Sequence, residues 1–202
     1  MATLDSLAAD VYTLTNRPDL VAETKVALRK SIIKFHSADT YKRDIVSQTL
    51  QMSLYPPLDV NQFRWNIALT TFPRFRRPRQ LTTSTLNPTV TVFKEVASDN
   101  IFNLYGSEFQ NYFFISGSSI TIKAIAGFDY LNFQYYQYPL VPPVSTDPIT
   151  SWICDQYPDA VIEEAAGTVF KMIGKDDEYS RYQTLFAENI MILRGTDVGE
   201  GV

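Results

Sequence analysis

The chain has too few cysteine and histidine residues for several common chemistries. Among its 202 residues are one cysteine, Cys154, and one histidine, His36. A single cysteine excludes an intrachain disulfide. The presence of only one cysteine and one histidine also argues against a zinc site or a cysteine–histidine nucleophile. We therefore expect Cys154 to be a small buried side chain in a protein made in a reducing cytoplasm. We expect His36 to be exposed or to lie at a helix C-terminus, where its charge suits the helix dipole.

Long apolar runs and catalytic motifs are also missing. No apolar stretch approaches the roughly 20 residues that span a bilayer, and the first residues, MATLDSLAADVYTL, lack the regions of a signal peptide. The sequence has neither a glycine-rich phosphate-binding loop nor a nucleophile elbow. Adjacent acids such as Glu163 and Glu164 are expected on solvated helix faces. We therefore predict that the protein is not an enzyme and has no catalytic residues, cofactor, metal site or membrane segment.

Positive charge is scarce in the second part of the chain. The net charge is −4, but residues 1–80 carry a balance of +5 and residues 81–202 a balance of −9. Chance distribution over solvated faces is one interpretation of this asymmetry. The other is a molecule with a basic and an acidic side, which could meet its own copies head to tail.

Helix patterns occupy both ends of the chain. In residues 1–54, Asn16 resembles an N-cap, and apolar residues recur at steps of three and four along one stripe: Leu20, Thr24, Ala27, Leu28, Ile32 and Phe35. Residues 149–194 predict a helical hairpin that begins at Pro158, turns at Gly174 and ends at Gly195. Residues 195–202 are polar and glycine-rich, which indicates a flexible C-terminal tail.

Strand patterns fill residues 55–148. Five or more short segments rich in Thr, Val, Ile, Phe and Tyr are separated by turn residues, which is typical of a small antiparallel sandwich or barrel. Proline-rich stretches, YPPL and YPLVPPVSTDP, bracket this zone. We therefore predict an α+β fold, in which the N- and C-terminal segments build a helical bundle and an antiparallel β sandwich or barrel is inserted between them.

The most basic stretch is FPRFRRPRQL, which contains Arg74, Arg76, Arg77 and Arg79. Pro73 and Pro78 flank these side chains, so the stretch is predicted to be an extended loop or a sheet edge. Arginines can bind carboxylates of another protein in a bidentate manner, and the acidic half of the chain offers such partners. The alternatives are an exposed loop with unpaired arginines, or a nucleic-acid-binding module.

The nucleic-acid alternative would combine the Arg74–Arg79 loop with the tyrosine-rich segment FDYLNFQYYQY, whose rings could stack on bases. Residues 124–170 contain no lysine or arginine to neutralise a nucleic-acid backbone. Packing or a protein interface is therefore the favoured interpretation of the tyrosines.

The two helical ends resemble those of head-to-tail adaptor (connector) proteins of tailed bacteriophages, particularly short-tailed ones. The resemblance lies in DVYTLTNRPDLVAETKVALRKSIIKFHSADTYKRDI and in YPDAVIEEAAGTVFKMIGKDDEYSRYQTLFAENI. The second stretch is similar to the helical hairpin that precedes the C-terminus in that family. The matching residues cover somewhat less than half of the chain, and the central β zone carries no such motif.

The resemblance implies a structural virion protein that forms a ring, commonly of twelve copies, beneath the portal. It implies assembly in the host cytoplasm and a final position at the head-to-tail interface, with a tail or nozzle protein as the other partner. DNA leaving through the ring would make at most non-specific contact. It also implies a C-terminal segment that docks on the portal, here Arg194, Gly195, Thr196, Asp197 and Val198. Whether the arginine stretch meets a neighbour, the tail or the channel stays open.

Overall fold

The chain is an α+β protein built of two units. The computed structural model describes residues 1–58, 63–84, 86, 88–96 and 111–199, apart from the side chains of the last two. A helical unit comprises Met1–Asp44 and Tyr138–Val202, and a β unit comprises Ile45–Gln137. The β unit is thus one continuous insertion between two segments of the helical unit. Its bounds lie earlier in the chain than the predicted bounds at 55 and 148.

The helical unit contains five α-helices and a short 3₁₀ helix, Lys42–Asp44, among the described residues. The bounds of the α-helices are α1 Leu4–Thr15, α2 Val21–Ala38, α3 Trp152–Gln156, α4 Pro158–Met172 and α5 Asp176–Gly199.

The start of the second helix differs from the prediction. Asn16 is not an N-cap, because it adopts a left-handed conformation with φ 52° and ends α1. Asparagine tolerates this conformation, which stops a helix. Arg17 then pairs with Asp19 at 2.8 Å across the turn, and α2 begins at Val21. Asn16 was predicted to start a helix. It instead ends α1, and α2 begins a few residues later, at Val21.

One apolar core holds the helical unit together. The predicted stripe of α2 is confirmed, since Ala27, Leu28, Ile32 and Phe35 are fully buried. Helix α4 contacts each of the other four α-helices, and its Val161 and other small apolar side chains are buried. Complete burial of a side chain such as that of Val161 contributes about 1.5–3 kcal/mol. The N- and C-terminal segments of the chain therefore depend on each other for stability.

Close contact between α4 and α5 depends on a glycine. A Cβ atom added at Gly167 would lie 2.7 Å from Tyr182 Cβ, which no relaxed packing allows.

Gly167→Ala is therefore expected to lower the free energy of unfolding by about 1–3 kcal/mol, despite the higher helix propensity of alanine. Gly195→Ala in α5 is the matched control, because nothing lies within 4 Å of its added Cβ. The control should be neutral or stabilising by up to about 1 kcal/mol. Chemical denaturation followed by circular dichroism measures both. Equal effects of the two substitutions would contradict the contact.

The expected burial of Cys154 is confirmed. Its side chain is 2% exposed, and burial raises the pKa of the thiol to about 11.

In the unfolded chain the thiol has a pKa of about 8.5. Below that pH the thiol is neutral in both states, and its full contribution to folding stability is present. This contribution is lost as pH rises towards the folded pKa of about 11. We expect a thiol reagent at pH 8 to label the native protein far more slowly than the denatured protein. We also expect Cys154→Ala to reduce the loss of folding stability above pH 9. Rapid labelling of the native protein would contradict this burial.

The β unit is a seven-stranded sheet with the order β1-β7-β3-β4-β5-β6-β2. The strands are β1 Ile45–Gln51, β2 Arg64–Ala68, β3 Phe75–Thr83, β4 Val92–Glu95, β5 Tyr112–Ser116, β6 Ser119–Lys123 and β7 Tyr130–Gln137.

The sheet is mixed, so the prediction of a wholly antiparallel sheet is wrong for one pair. Strands β4 and β5 run parallel, with Lys94 opposite Tyr112, whereas the other neighbours are antiparallel. The long segment between Glu95 and Tyr112 permits this arrangement, because parallel strands need a connection of about a dozen residues or more.

Aromatic side chains fill the core of the β unit. Phe133 of β7 is fully buried and lies 4.7 Å from Phe72 and 5.5 Å from Tyr135 between ring centroids. Phe75 and Phe113 complete the cluster around Phe133. The tyrosine-rich segment therefore supplies core packing through alternate residues, as the favoured interpretation predicted.

Candidate interaction surfaces

Arg76, Arg77 and Arg79 lie in the first half of β3 rather than in a loop, and Arg74 directly precedes this strand. Among the described residues, this strand pairs from Phe75 to Gln80 with β7 alone, since β4 pairs further along, at Leu81 and Thr82. The predicted sheet edge is therefore present at the arginines. The register shifts between Pro78 and Gln80, where proline offers no N–H group to the ladder.

A tight corner precedes the strand. Arg74 adopts a left-handed conformation with φ 54°, and its guanidinium donates to Gln137 Oε1 at 3.0 Å. The amide of Gln137 in turn donates to the carbonyl oxygen of Pro73 at 2.8 Å. These contacts hold the start of β3 against the end of β7, and they fix where the following arginines lie.

Two guanidinium groups lie over one tyrosine ring. Arg76 and Arg77 are 5.2 and 5.3 Å from the ring centroid of Tyr136, within the range of cation–π attraction. Arg77, Arg79 and Arg74 are exposed, whereas Arg76 is half-buried. We call these four arginines and Tyr136 the arginine surface.

The arginine surface is chemically suited to carboxylates. In the described part of the chain, no carboxylate forms an ion pair with Arg74, Arg77 or Arg79. A guanidinium that stacks on an aromatic face keeps its edge donors for a bidentate partner. The surface can therefore bind carboxylates or phosphates, and geometry alone favours neither class.

The segment predicted to dock on a portal is held within its own unit. Helix α5 does not end at Gly195 but continues to Gly199, so the predicted helix end is wrong. Both carboxylate oxygens of Asp197 accept the backbone N–H of Lys42 at 2.9 Å. The Tyr157 hydroxyl donates to Thr196 Oγ1 at 2.9 Å, as a further contact of this helix turn.

The same segment buries more surface than its composition indicates. Arg194 pairs with Asp39 just beyond the end of α2, and Asp197 is 9% exposed. The side chain of Val198 lies outside the described residues. These contacts give the last turns of α5 a structural role that the glycine-rich sequence does not reveal.

A buried polar network was missed by the sequence analysis. His36 lies in the last turn of α2, so the expected position at a helix C-terminus is confirmed, but it is 2% exposed, so the alternative of an exposed side chain is wrong. Its Nδ1 lies 2.8 Å from Asp44 Oδ1, and its Nε2 lies 2.9 Å from Ser151 Oγ. The Trp152 indole N–H donates to the same Asp44 oxygen at 3.0 Å. His36 and Asp44 are 8 positions apart, but Ser151 lies 115 positions from His36, so no local signal joins the network.

The order Asp44–His36–Ser151 resembles the hydrogen-bond order of a hydrolytic triad, but burial decides its role. Asp44 and Ser151 are only 5% and 4% exposed. Ser151 also caps α3 by accepting the N–H of Cys154. A nucleophile has to reach a substrate, and this hydroxyl does not. We therefore assign the network to stability.

A second buried charge corrects another expectation. Glu164 is 4% exposed rather than solvated. It accepts a hydrogen bond from Lys34 Nζ at 2.6 Å and one from the Gln183 amide at 3.3 Å. Lys34 also lies 3.8 Å from the ring centroid of Phe186. Glu164 thus joins α2, α4 and α5 rather than facing solvent.

The described residues contain no group of three or more His, Cys, Asp or Glu side chains able to hold a metal ion. No described helix is long and apolar enough to cross a membrane.

Comparison of the chain with models of known protein families finds no match, and comparison with curated proteins finds no significantly similar sequence. The resemblance to phage adaptors therefore stays a prediction from the quoted motifs.

Proposed function

We propose that this protein is a structural virion protein whose copies form a ring between the portal and the tail of a short-tailed bacteriophage. The ring would enclose the channel through which DNA leaves the head. In the fold that goes with this function, the helical unit is a bundle and the inserted β unit is a sandwich or barrel that meets the tail.

The observation that carries the proposal is the shared core of the two adaptor-like segments. Helix α2 comes from one segment, α4 and α5 come from the other, and all three contribute to one apolar core. The β unit is inserted between these segments. A domain inserted in this way can vary and bind partners without changing the helices that would pack around a ring.

Charge distribution supports contacts between copies. The arginine surface carries exposed positive charge, while the first turn of α5 carries Asp176, Asp177 and Glu178. Attraction between unlike patches on neighbouring copies gives a heterologous contact, and such contacts close into rings when the rotation per copy allows it.

The direct test is assembly on the portal of the same phage. Mixed with that portal, the protein should co-sediment as a ring of defined stoichiometry, which mass measurement and electron microscopy can count. Bovine serum albumin at the same concentration is the control for non-specific sedimentation. No association with portal, tail protein or itself at virion-like concentrations would refute the proposed function.

Portal docking by the C-terminal segment has to be separated from its structural role. Deleting residues 195–202 removes the Asp197 contacts and is expected to destabilise the protein by about 1–3 kcal/mol. Deleting residues 198–202 keeps those contacts. We expect the longer deletion to abolish portal binding, and the shorter one, which removes only Val198 of the predicted docking residues, to weaken it while stability is retained. Normal portal binding by the longer deletion would place the docking site elsewhere.

A further inference from the structure

Strand β1 forms one edge of the sheet, and no strand among the described residues pairs with its outer side. It pairs with β7 from Ile45 opposite Tyr136 to Gln51 opposite Tyr130, without a register shift. In the sheet order it has no other neighbour. A seven-residue edge strand presents a row of backbone donors and acceptors that another strand can bind.

The alternation of hydrogen bonds along the β1–β7 ladder shows which backbone groups of β1 point away from β7. The N–H of Met52 donates to the carbonyl of Asp129 at 2.8 Å, which continues the β1–β7 ladder by one position. Directly bonded pairs alternate in an antiparallel ladder, so Val46, Gln48 and Leu50 bond to β7. The backbone groups of the residues between them point away from the sheet; these residues are Ile45, Ser47, Thr49 and Gln51.

The sequence of β1 lacks the residues that usually protect an edge strand. Its sequence, IVSQTLQ, contains no charged residue, proline or glycine, and Ser47, Thr49 and Gln51 are exposed. The opposite edge, β2, is shorter, begins with Arg64, and has one outward carbonyl covered, since Leu58 N–H donates to Arg64 O at 2.7 Å. Natural edges are normally blocked by charge, proline or bulges. An unblocked edge therefore indicates a partner strand.

We propose that the partner is β1 of a second copy, paired antiparallel about Gln48. This register uses every outward residue, because Ser47 bonds to the partner's Thr49 and Ile45 bonds to the partner's Gln51. On the core side of the sheet, Val46 lies opposite the partner's Leu50. Apolar and hydroxyl cross-strand pairs of this kind are each favourable, and no like charges meet.

The contact is two-fold symmetric and closes at two copies. It is therefore distinct from the heterologous contacts of the proposed ring, and neither depends on the other. The protein would thus have a separate association state, a dimer in which two sheets join through their β1 edges into one continuous sheet.

Substitutions at Thr49 test the contact. Thr49→Pro removes an outward N–H that β7 does not use, and Thr49→Lys places a charge on the edge. Gln80→Lys adds the same charge at an exposed position of β3 and is the matched control. Sedimentation velocity over a concentration series should show a wild-type dimer. Both Thr49 variants should weaken it at least about tenfold, which is about 1.4 kcal/mol, while the control leaves it unchanged.

Disulfide trapping tests the register. Directly bonded antiparallel residues have Cα atoms about 5.5 Å apart, which a disulfide can bridge. Ser47→Cys mixed with Thr49→Cys should therefore form a cross-linked dimer, and either variant alone should form far less. Native Cys154 is buried and does not interfere.

Three results would overturn the proposal. The first is a wild-type protein that stays monomeric at millimolar concentration, and the second is equal cross-linking by the single variants. The third is protection of the Ser47 and Thr49 amides from hydrogen exchange only after portal or tail protein is added. That result would assign the edge to a different strand.

Discussion

Replacing Asp44 with alanine is expected to lower the free energy of unfolding of the helical unit by about 3–5 kcal/mol. The carboxylate is buried and binds both the imidazole of His36 and the indole N–H of Trp152. Removing it leaves the buried His36 and the half-buried indole N–H of Trp152 without their acceptor, and each loss in a buried setting costs about 1–3 kcal/mol. The substitution also breaks the link between the end of α2 and the start of α3.

Asp44→Asn separates the hydrogen bonds from the charge. The amide oxygen can still accept from His36 and Trp152, so the loss is expected to be about half that of Asp44→Ala or less. Ser151→Ala should have an intermediate effect, since it removes the cap of α3 as well as the partner of His36 Nε2.

Fluorescence can report on the helical unit alone. The chain has two tryptophans, and Trp152 belongs to the helical unit whereas Trp65 belongs to the β unit. In a Trp65→Phe background, urea denaturation followed by emission therefore reports on Trp152. A change below about 1 kcal/mol for Asp44→Ala would contradict the structural role of the network, because typical surface substitutions stay within about 0.5 kcal/mol.

Local signals account for the parts of the helical unit that were predicted correctly. Pro158 begins α4, Gly174 adopts φ 74° after it, and Asp176 begins α5. Each depends on the conformational preference of one residue or on its position in the helix dipole. Such preferences act over a single turn, so the sequence is enough to locate them.

Asn16 was mispredicted for a local reason, but the errors at Gly195 and Glu164 come from contacts between distant residues. Gly195 is a sound local stop signal, but Leu193 is buried and Asp197 binds Lys42, so packing extends the helix beyond it. The burial of Glu164 depends on Lys34, which lies 130 positions away. Periodicity cannot reveal a charge pair of this kind, because both residues look like surface residues in their own helices.

Strand prediction shows the same limit. Segments with alternating apolar residues, such as SITIK and YLNFQYYQ, are β6 and β7 as expected. Strand β1 was missed, because it follows a helix and alternates only weakly between apolar and polar side chains. The parallel pairing of β4 with β5 was also missed, because strand pairing is a long-range choice that each strand's own pattern leaves undetermined.

Alanine substitutions in the arginine surface are expected to abolish assembly while leaving duplex DNA affinity unchanged. Arg77 and Arg79 are the sites of choice, because both are exposed and neither forms an ion pair among the described residues. If each binds a carboxylate of a neighbouring copy in a desolvated pair, truncation costs about 2–5 kcal/mol per pair. A double substitution would then raise the concentration needed for assembly far above ordinary protein concentrations.

Two matched controls define the chemistry. Lys94→Ala removes one positive charge from an exposed position of the same unit and should leave assembly intact. Arg77→Lys keeps the charge but loses the planar fork and its stacking on Tyr136, so it should weaken assembly nearly as much as alanine if the partner is bidentate. A lysine variant that assembles normally would indicate a solvated rim contact instead.

The nucleic-acid alternative makes the opposite prediction in the same experiment. Each phosphate contact contributes about 0.9 to the slope of log affinity against log salt, so four contacts would give a slope of about −3.6. Under that alternative, Arg77→Ala with Arg79→Ala would weaken DNA binding on all sequences and reduce this slope by about half, while ring assembly persisted. Because three of the four arginines lie in a β-strand, sequence readout by a helix in the major groove is not expected in either case. Assembly and DNA affinity measured on the same protein preparations therefore decide whether carboxylates or phosphates are the partners of these four arginines.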